Sequence, residues 1–210
     1  PGARRAPGVT SAGLTQNPPL GLDAFARVAF VPEGHELPPD RENVTSLMDT
    51  VDEGYFETMG VPIVRGRGFL PTDTADAPRV AIVNEHLAKR YWPEADPVGK
   101  RIRLENGSGA PVEIVGVAKT IKYTTGPSRS VDFLYMPLAQ HPVARMILLL
   151  GSSGDPLRLV QPLKDLVRTL DPNQFDAYLI QAQRALGRGD LVEVERQRKL
   201  AARVDDEHPH

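Results

Sequence analysis

Apolar and polar positions alternate over Val9–Gln16, which predicts a strand that Asn17-Pro-Pro-Leu-Gly21 brings to an end. Between 22 and 50 the prolines at 32, 38 and 39 interrupt any regular pattern, leaving short strands over Ala26–Val31 and Val44–Val51. Asp52–Met59 reads as one or two helical turns with Tyr55, Phe56 and Met59 on one face. Gly60 follows where a left-handed C-cap belongs. Arg65–Phe69 leads into a Pro/Thr/Asp loop at 71–78, and Arg79–Val83 has the continuous apolar character of a buried strand. Asn84 then suits the N-cap of a helix over 85–92, with Leu87, Ala88 and Tyr91 inward and Pro93 as the stop.

The pattern continues with a turn at Asp96–Lys100. Arg101–Leu104 and Val112–Val117 flank Glu105-Asn-Gly-Ser-Gly109, where Asn-Gly is a strong hairpin signal. Phe133–Met136 is a further strand. Arg145–Leu150 reads as a buried strand, and Asp155 and Pro156 open a helix whose apolar positions run from Leu159 to Leu170, with Pro162 kinking or delaying it. Phe175–Ile180 completes a β-α-β unit over 145–180. Residues 181–204 form a charged helix broken near Gly187–Gly189, and Asp205–His210 fray.

Composition narrows the function more than it defines it. The chain has 210 residues, 40% of them hydrophobic and 25% charged, which suits one globular domain or two small ones. Its 20 prolines and 18 glycines imply many turns and short elements. A net charge of -2 gives no reason to expect nucleic acid or an anionic membrane surface as partner. The absence of cysteine excludes disulfides and thiolate chemistry. The longest purely apolar run, Met146–Leu150, falls far short of the roughly 20 residues a membrane span needs, so this segment inserts in no membrane directly. The abrupt start, without a signal peptide, reads as a fragment cut from a longer protein.

Candidate chemistry does not assemble. Glu85-His86 begins a zinc-protease word that Arg90 fails to complete, and the remaining histidines are scattered. Gly151-Ser-Ser-Gly154 is one residue short of a serine-hydrolase elbow. Gly99-Lys100 lacks the rest of a phosphate loop. Asp49, Asp52 and Glu53 are expected to cap the short helix at Tyr55. Arg65-Gly-Arg-Gly68 is a single RGG-like word, and its arginines are expected to brace neighbouring segments. Tyr55, Phe56, Phe69, Tyr91 and Tyr123 read as core, and Trp92 as a residue at a subdomain boundary. Asn43-Val-Thr45 and Asn106-Gly-Ser108 match the glycosylation triplet, a pattern common by chance. No catalytic, cofactor-binding or metal-ligating residue is assigned.

Several of these words, in this order, resemble a family. Asp52–Pro62 and Arg65–Phe69 are followed by Val80–Glu85, Arg90–Pro93, Asp96–Ile102 and Ile114–Val117 with Lys122-Tyr123. Phe133–Leu138 and Leu170–Pro172 close the set. The chain is similar over about residues 8–180 to the periplasmic core domain of MacB-like, FtsX/MacB-type ABC transporter permeases. The flavour is nearest the duplicated-permease members of acidobacteria and their relatives. The motif positions are Gly54, Tyr55, Phe56, Met59, Gly60, Arg65, Gly66, Arg67, Phe69, Asn84, Glu85, Pro97, Gly99, Lys100 and Gly116, and the resemblance gives them structural roles.

The resemblance implies an α+β fold of two lobes. A porter-like β-α-β lobe would take 1–44 and 129–182, its first β-α missing. A mixed α+β lobe over 45–128 would be inserted in it, and 183–210 would form a helical tail toward an absent transmembrane segment. It also implies a periplasmic, non-catalytic part of an inner-membrane transporter that couples cytoplasmic ATP hydrolysis to substrate export or release. The partners would be the transporter's transmembrane and ATP-binding parts, with a second copy or a periplasmic adaptor as further candidates. The alternative is an extracytoplasmic module that senses a ligand or peptide, which would require a deep apolar pocket.

Overall fold

In the computed structural model, residues 8–19, 25–35, 37, 40, 42–123 and 131–159 are described. They carry nine strands: β1 (Val9–Thr15), β2 (Ala26–Pro32), β3 (Val44–Val51), β4 (Ile63–Gly66), β5 (Val80–Asn84), β6 (Arg101–Leu104), β7 (Pro111–Ala118), β8 (Phe133–Pro137) and β9 (Ile147–Ser152). Two α-helices, α1 (Tyr55–Met59) and α2 (Glu85–Tyr91), interrupt them. The fold is therefore α+β, dominated by sheet. The β-α-β helix beyond Leu159, the strand at 175–180 and the tail over 181–210 lie outside the described residues.

The chain divides into two compact units, one of Gly13–Leu148 and the other of Pro1–Ala12 with Leu149–His210. In the larger unit the strands follow the order β2-β6-β7-β5-β8-β3, and β2 pairs with β3 as well, so six strands close on one another. Closure removes the free edges that an open sheet would leave. The pairs β3–β8 and β5–β7 are parallel, while β2–β3, β2–β6, β6–β7 and β5–β8 are antiparallel. Beyond the closed set, β4 adds to β7, and the end of β1 joins β3 through the pair Thr15–Val51.

Strand alternation sorts the side chains into two layers. One layer unites Phe30, Val44, Met48, Ala81, Val83, Ile102, Val112, Ile114, Leu134 and Met136 with Leu87, Ala88, Tyr91 and Trp92 from α2. The intervening positions of β8, Phe133 and Tyr135, belong to an aromatic layer with Tyr55 and Phe56 of α1. Tyr123 stacks on Phe133 at 3.9 Å between ring centres, and Phe25 meets the same ring edge-on at 4.9 Å. Burying a single large apolar side chain contributes on the order of 1.5–3 kcal/mol, so these two layers supply most of the unit's stability.

In the smaller unit, the start of β1 and the end of β9 are neighbours, and the Ser153 amide donates to the Gly8 carbonyl at 3.3 Å. A 3-10 turn follows at Pro156–Leu159, where the sequence predicts the start of a helix.

The larger unit spans Gly13–Leu148, and β2 and β8 take part in closing its sheet. Three expectations need correction. Trp92 is not at a boundary but packs in the core of that unit, 7% exposed. The β6–β7 connection is not a two-residue Asn-Gly turn: Glu105–Gly107 form a 3-10 turn with positive φ at Glu105 and Gly107, and pairing resumes at Arg103–Pro111. β9 is a strand but not a buried one, with Leu149 buried and Leu148 exposed.

Candidate functional site

Three clusters in the larger unit hold the motif residues. The first is the approach to α1. Asp52 follows β3, and its Oδ1 accepts from the Leu14 amide at 2.8 Å and the Gly54 amide at 3.1 Å. Gly54 is the N-cap residue of α1 and receives no side-chain cap, so neither Asp49 nor Glu53 caps the helix as expected. Asp52 instead ties β1 to the turn before α1. Tyr55 and Phe56 are buried, Met59 is half-buried, and Gly60 ends the helix in the left-handed region at φ 64°, donating to Glu57 and Phe56 carbonyls. A non-glycine residue would be strained at that φ.

The second cluster is where β4 meets β7. Gly66 and Gly116 are register partners. A Cβ added to Gly116 would lie 2.1 Å from the Arg67 carbonyl oxygen, and one added to Gly66 would lie 2.2 Å from the Val115 carbonyl oxygen. The two backbones pass too closely for any side chain at either position, which accounts for glycine in both the Arg65–Phe69 and Ile114–Val117 words. Arg67 clamps the following loop: its guanidinium meets both oxygens of Asp73, at 2.8 and 2.9 Å, and its Nη1 donates to the Gly68 carbonyl. Asp73 also accepts from the Leu70 amide at 2.8 Å. Burial pushes the Asp73 carboxyl up, but Arg67 and the Leu70 amide outweigh it and hold it below the usual range. Phe69 is buried 6.1 Å from Phe56. Arg65 is exposed and forms no ion pair among the described residues, so only one of the two arginines expected to brace does so.

The third cluster is the β5–α2 joint. Asn84 is fully buried; its Oδ1 accepts from the Leu87 amide at 3.0 Å and the Phe133 amide at 3.2 Å, and its Nδ2 donates to the Val131 carbonyl at 2.8 Å. One side chain thus caps α2 and fixes the entry of β8. Glu85 accepts from the Thr120 amide at 3.2 Å. In the turn between α2 and β6, Pro97 is buried and its carbonyl accepts from Lys100 N–H, while the Gly99 amide donates to Ile114 at 2.8 Å. Gly99 has φ 83°, and Lys100 is exposed.

Two carboxylates are buried where the sequence shows no sign of it: Asp132, which it did not single out, and Asp49, which it read as a helix cap. Asp132 accepts from Arg90 at 2.9 Å and Tyr91 Oη at 3.4 Å, with His86 Nε2 at 3.6 Å. Asp49 is fully buried on β3 within reach of Thr15, Asn17 and Thr50. Burial pushes its carboxyl up to about 7 against the opposing effect of those hydrogen bonds. Alternation gave no signal for it: Asp49 shares a face of β3 with exposed Thr45 and half-buried Leu47, and only the last four residues of the strand are buried on both faces. Asn43, Val44, Thr45, Arg90 and Tyr91 line an open cavity of about 360 Å³ with mostly polar walls. The arrangement is one of backbone joints, caps and clamps. No group of three or more His, Asp or Glu among the described residues could hold a metal ion.

This sheet is that of a known domain class. The family model for the MacB-like periplasmic core domain matches residues 7–166, and the chain belongs to that family. It is 28% identical over 118 residues to the uncharacterized ABC transporter permease YknZ of Bacillus subtilis, covering 56% of this chain and 28% of that protein. It is 26% identical over 95 residues to the macrolide export ATP-binding/permease protein MacB of Neisseria gonorrhoeae, covering 45% of this chain and 14% of that one. The chain therefore spans less than a third of either curated relative. Among solved structures it resembles the periplasmic region of MacB from Actinobacillus actinomycetemcomitans, with TM-score 0.55 and 14% identity over 80% of this chain and 70% of that one. The chain is an extracytoplasmic, MacB-like domain of the ABC permease type, and no helix among its described residues is long and apolar enough to cross a membrane.

Proposed function

We propose that this domain is a non-catalytic part of a transporter, passing conformational change from cytoplasmic ATP hydrolysis to the export or release of a substrate outside the membrane. The observation that carries the reading is the family match over residues 7–166 together with what the motif residues do there. Gly66, Gly116, Asn84 and Arg67 spend their chemistry on backbone crossings, caps and a clamp, which stiffen a domain and activate no substrate. A stiff body transmits displacement; a soft one absorbs it. Two lobes, one porter-like and one built on the closed sheet, belong to the same reading. The cavity at Asn43 and Arg90 is open and polar.

The partners follow: the transmembrane and ATP-binding parts of the same transporter, with a second copy or a periplasmic adaptor at the outer surface. This chain has no cysteine, and Val64 is exposed. In a cysteine-free version of the full-length transporter in intact cells, a membrane-impermeant maleimide is expected to label Val64→Cys, at a rate that changes when ATP hydrolysis is blocked. A labelling rate indifferent to the nucleotide state would overturn the proposal.

A further inference from the structure

Three buried carboxylates stand out among the described residues, and two of them, Asp73 and Asp132, face arginines. Asp49 is in none of the ion pairs found among those residues. The titratable groups that face it are phenols, Tyr55 from α1 and Tyr135 from β8, which is its register partner; Tyr123 lies behind them, accepting from the Tyr135 hydroxyl at 3.1 Å. Burial holds all three phenols above their ordinary range, so they remain neutral beside it. From β1 and the turn after it come the Thr15 hydroxyl and the amide of Asn17 at 3.1 Å; the Thr50 amide donates at 2.9 Å from its own strand. Asp52, the nearest acid along the chain, is engaged with the amides of Leu14 and Gly54.

The Thr15 hydroxyl has one proton and two acceptors in reach, Asp49 Oδ2 and the Asn17 carbonyl at 3.3 Å. An ionised Asp49 accepts that proton and leaves the Asn17 carbonyl without it. A neutral Asp49 is a donor at Oδ2; it donates to Thr15 Oγ1, and the hydroxyl then turns to the Asn17 carbonyl. Both amide bonds to Oδ1 persist in either state. Pro18 and Pro19, which follow, have no N–H of their own to anchor this buried turn; the Gln16 amide on the Thr50 carbonyl at 2.9 Å and the Asn17 amide on Asp49 hold its start, and the Thr15 hydroxyl adds to them when it faces the Asn17 carbonyl.

We propose that Asp49 and Thr15 form a proton-operated latch on the end of β1: one proton taken from solvent by Asp49 reverses its hydrogen bond to Thr15 and fastens the Asn17 turn. Because burial brings the Asp49 carboxyl to about 7, the latch works near neutral pH, where an extracytoplasmic face meets changing acidity. The folded chain holds this proton up to about 7 and the unfolded chain releases it near 3.8. The stabilisation is complete below the lower value, declines as pH rises through the window and is gone above the upper one. The latch stands independently of the transport reading.

The test is carbon-13 NMR of the full chain from pH 4 to pH 9, following the Asp49 carboxyl and the Asn17 carbonyl together. The two are expected to titrate with one shared midpoint near 7. In Thr15→Val the Asn17 carbonyl should lose its response while Asp49 still titrates, and in Asp49→Asn it should be fixed at all pH values. An Asp49 midpoint near 4, or an Asn17 carbonyl that ignores pH in the native chain, overturns the latch. If Asp49→Asn fails to fold, the native and Thr15→Val titrations decide the matter alone.

Discussion

Replacing Asn84 by alanine removes three hydrogen bonds at one buried point. The Leu87 amide loses its cap, the Phe133 amide loses its acceptor, and the Val131 carbonyl loses its donor. Loss of an N-cap costs about 1 kcal/mol. A buried amide left without a partner costs about 1–3 kcal/mol more, and full burial of Asn84 leaves little room for water to replace the side chain. The sum is about 2–4 kcal/mol, which for a chain of 210 residues lowers Tm by roughly 5–15 °C. Asn84→Ser should fall between, because serine caps α2 but is too short to serve β8. Urea unfolding followed by Trp92 fluorescence reads the effect directly, since Trp92 is the only tryptophan and is 7% exposed in the core that α2 caps. A cost under about 0.5 kcal/mol for Asn84→Ala, the range of an ordinary surface change, would refute the assignment of Asn84 as the joint between α2 and β8.

Further outcomes follow from the other joints. Gly116→Ala would place its Cβ 2.1 Å from the Arg67 carbonyl, so β4 must leave β7; hydrogen exchange at the Arg67 amide, which donates to Val115, should speed up markedly. Arg67→Ala should cost about 1 kcal/mol, a modest value because the guanidinium is 39% exposed to solvent. The contribution of Asp73, whose carboxyl is held low, is present above the unfolded value of 3.8 and is lost as pH falls through the lower folded value; acid titration of wild type against Arg67→Ala measures it. Asp49→Asn should remove a stability decline of up to about 4 kcal/mol between pH 3.8 and about 7, read as urea midpoints at pH 5 and pH 8.

Much of the fold was legible where local chemistry decides it. β5 is an apolar run, Asn84 is a cap with a helix pattern behind it, and Gly60 sits where the chain turns left-handed; each is settled within a few residues. β4 was not foreseen because Ile63-Val-Arg-Gly66 is half-buried at its first residue and exposed after it, and only β7 makes it a strand. The closure of the sheet was equally invisible, since it rests on β2 meeting both β3 and β6 across long separations in the chain. The glycines of the motif words could be noticed in the sequence, but their reason, two backbones in contact, appears only when Gly66 and Gly116 are brought together. Asp49 was misread as a helix cap because sequence distance to Tyr55 is short; the strand carries its side chain to Thr15 instead.

The proposal that the domain transmits the ATP cycle is tested most directly by hydrogen–deuterium exchange on the full-length transporter in lipid nanodiscs. Peptides covering residues 7–166 would be compared between the nucleotide-free state and a hydrolysis-blocked, ATP-bound state. A transmitting domain should keep its closed sheet equally protected in both states and change exchange in its exposed segments. Identical exchange across all of these peptides in the two states would contradict transmission.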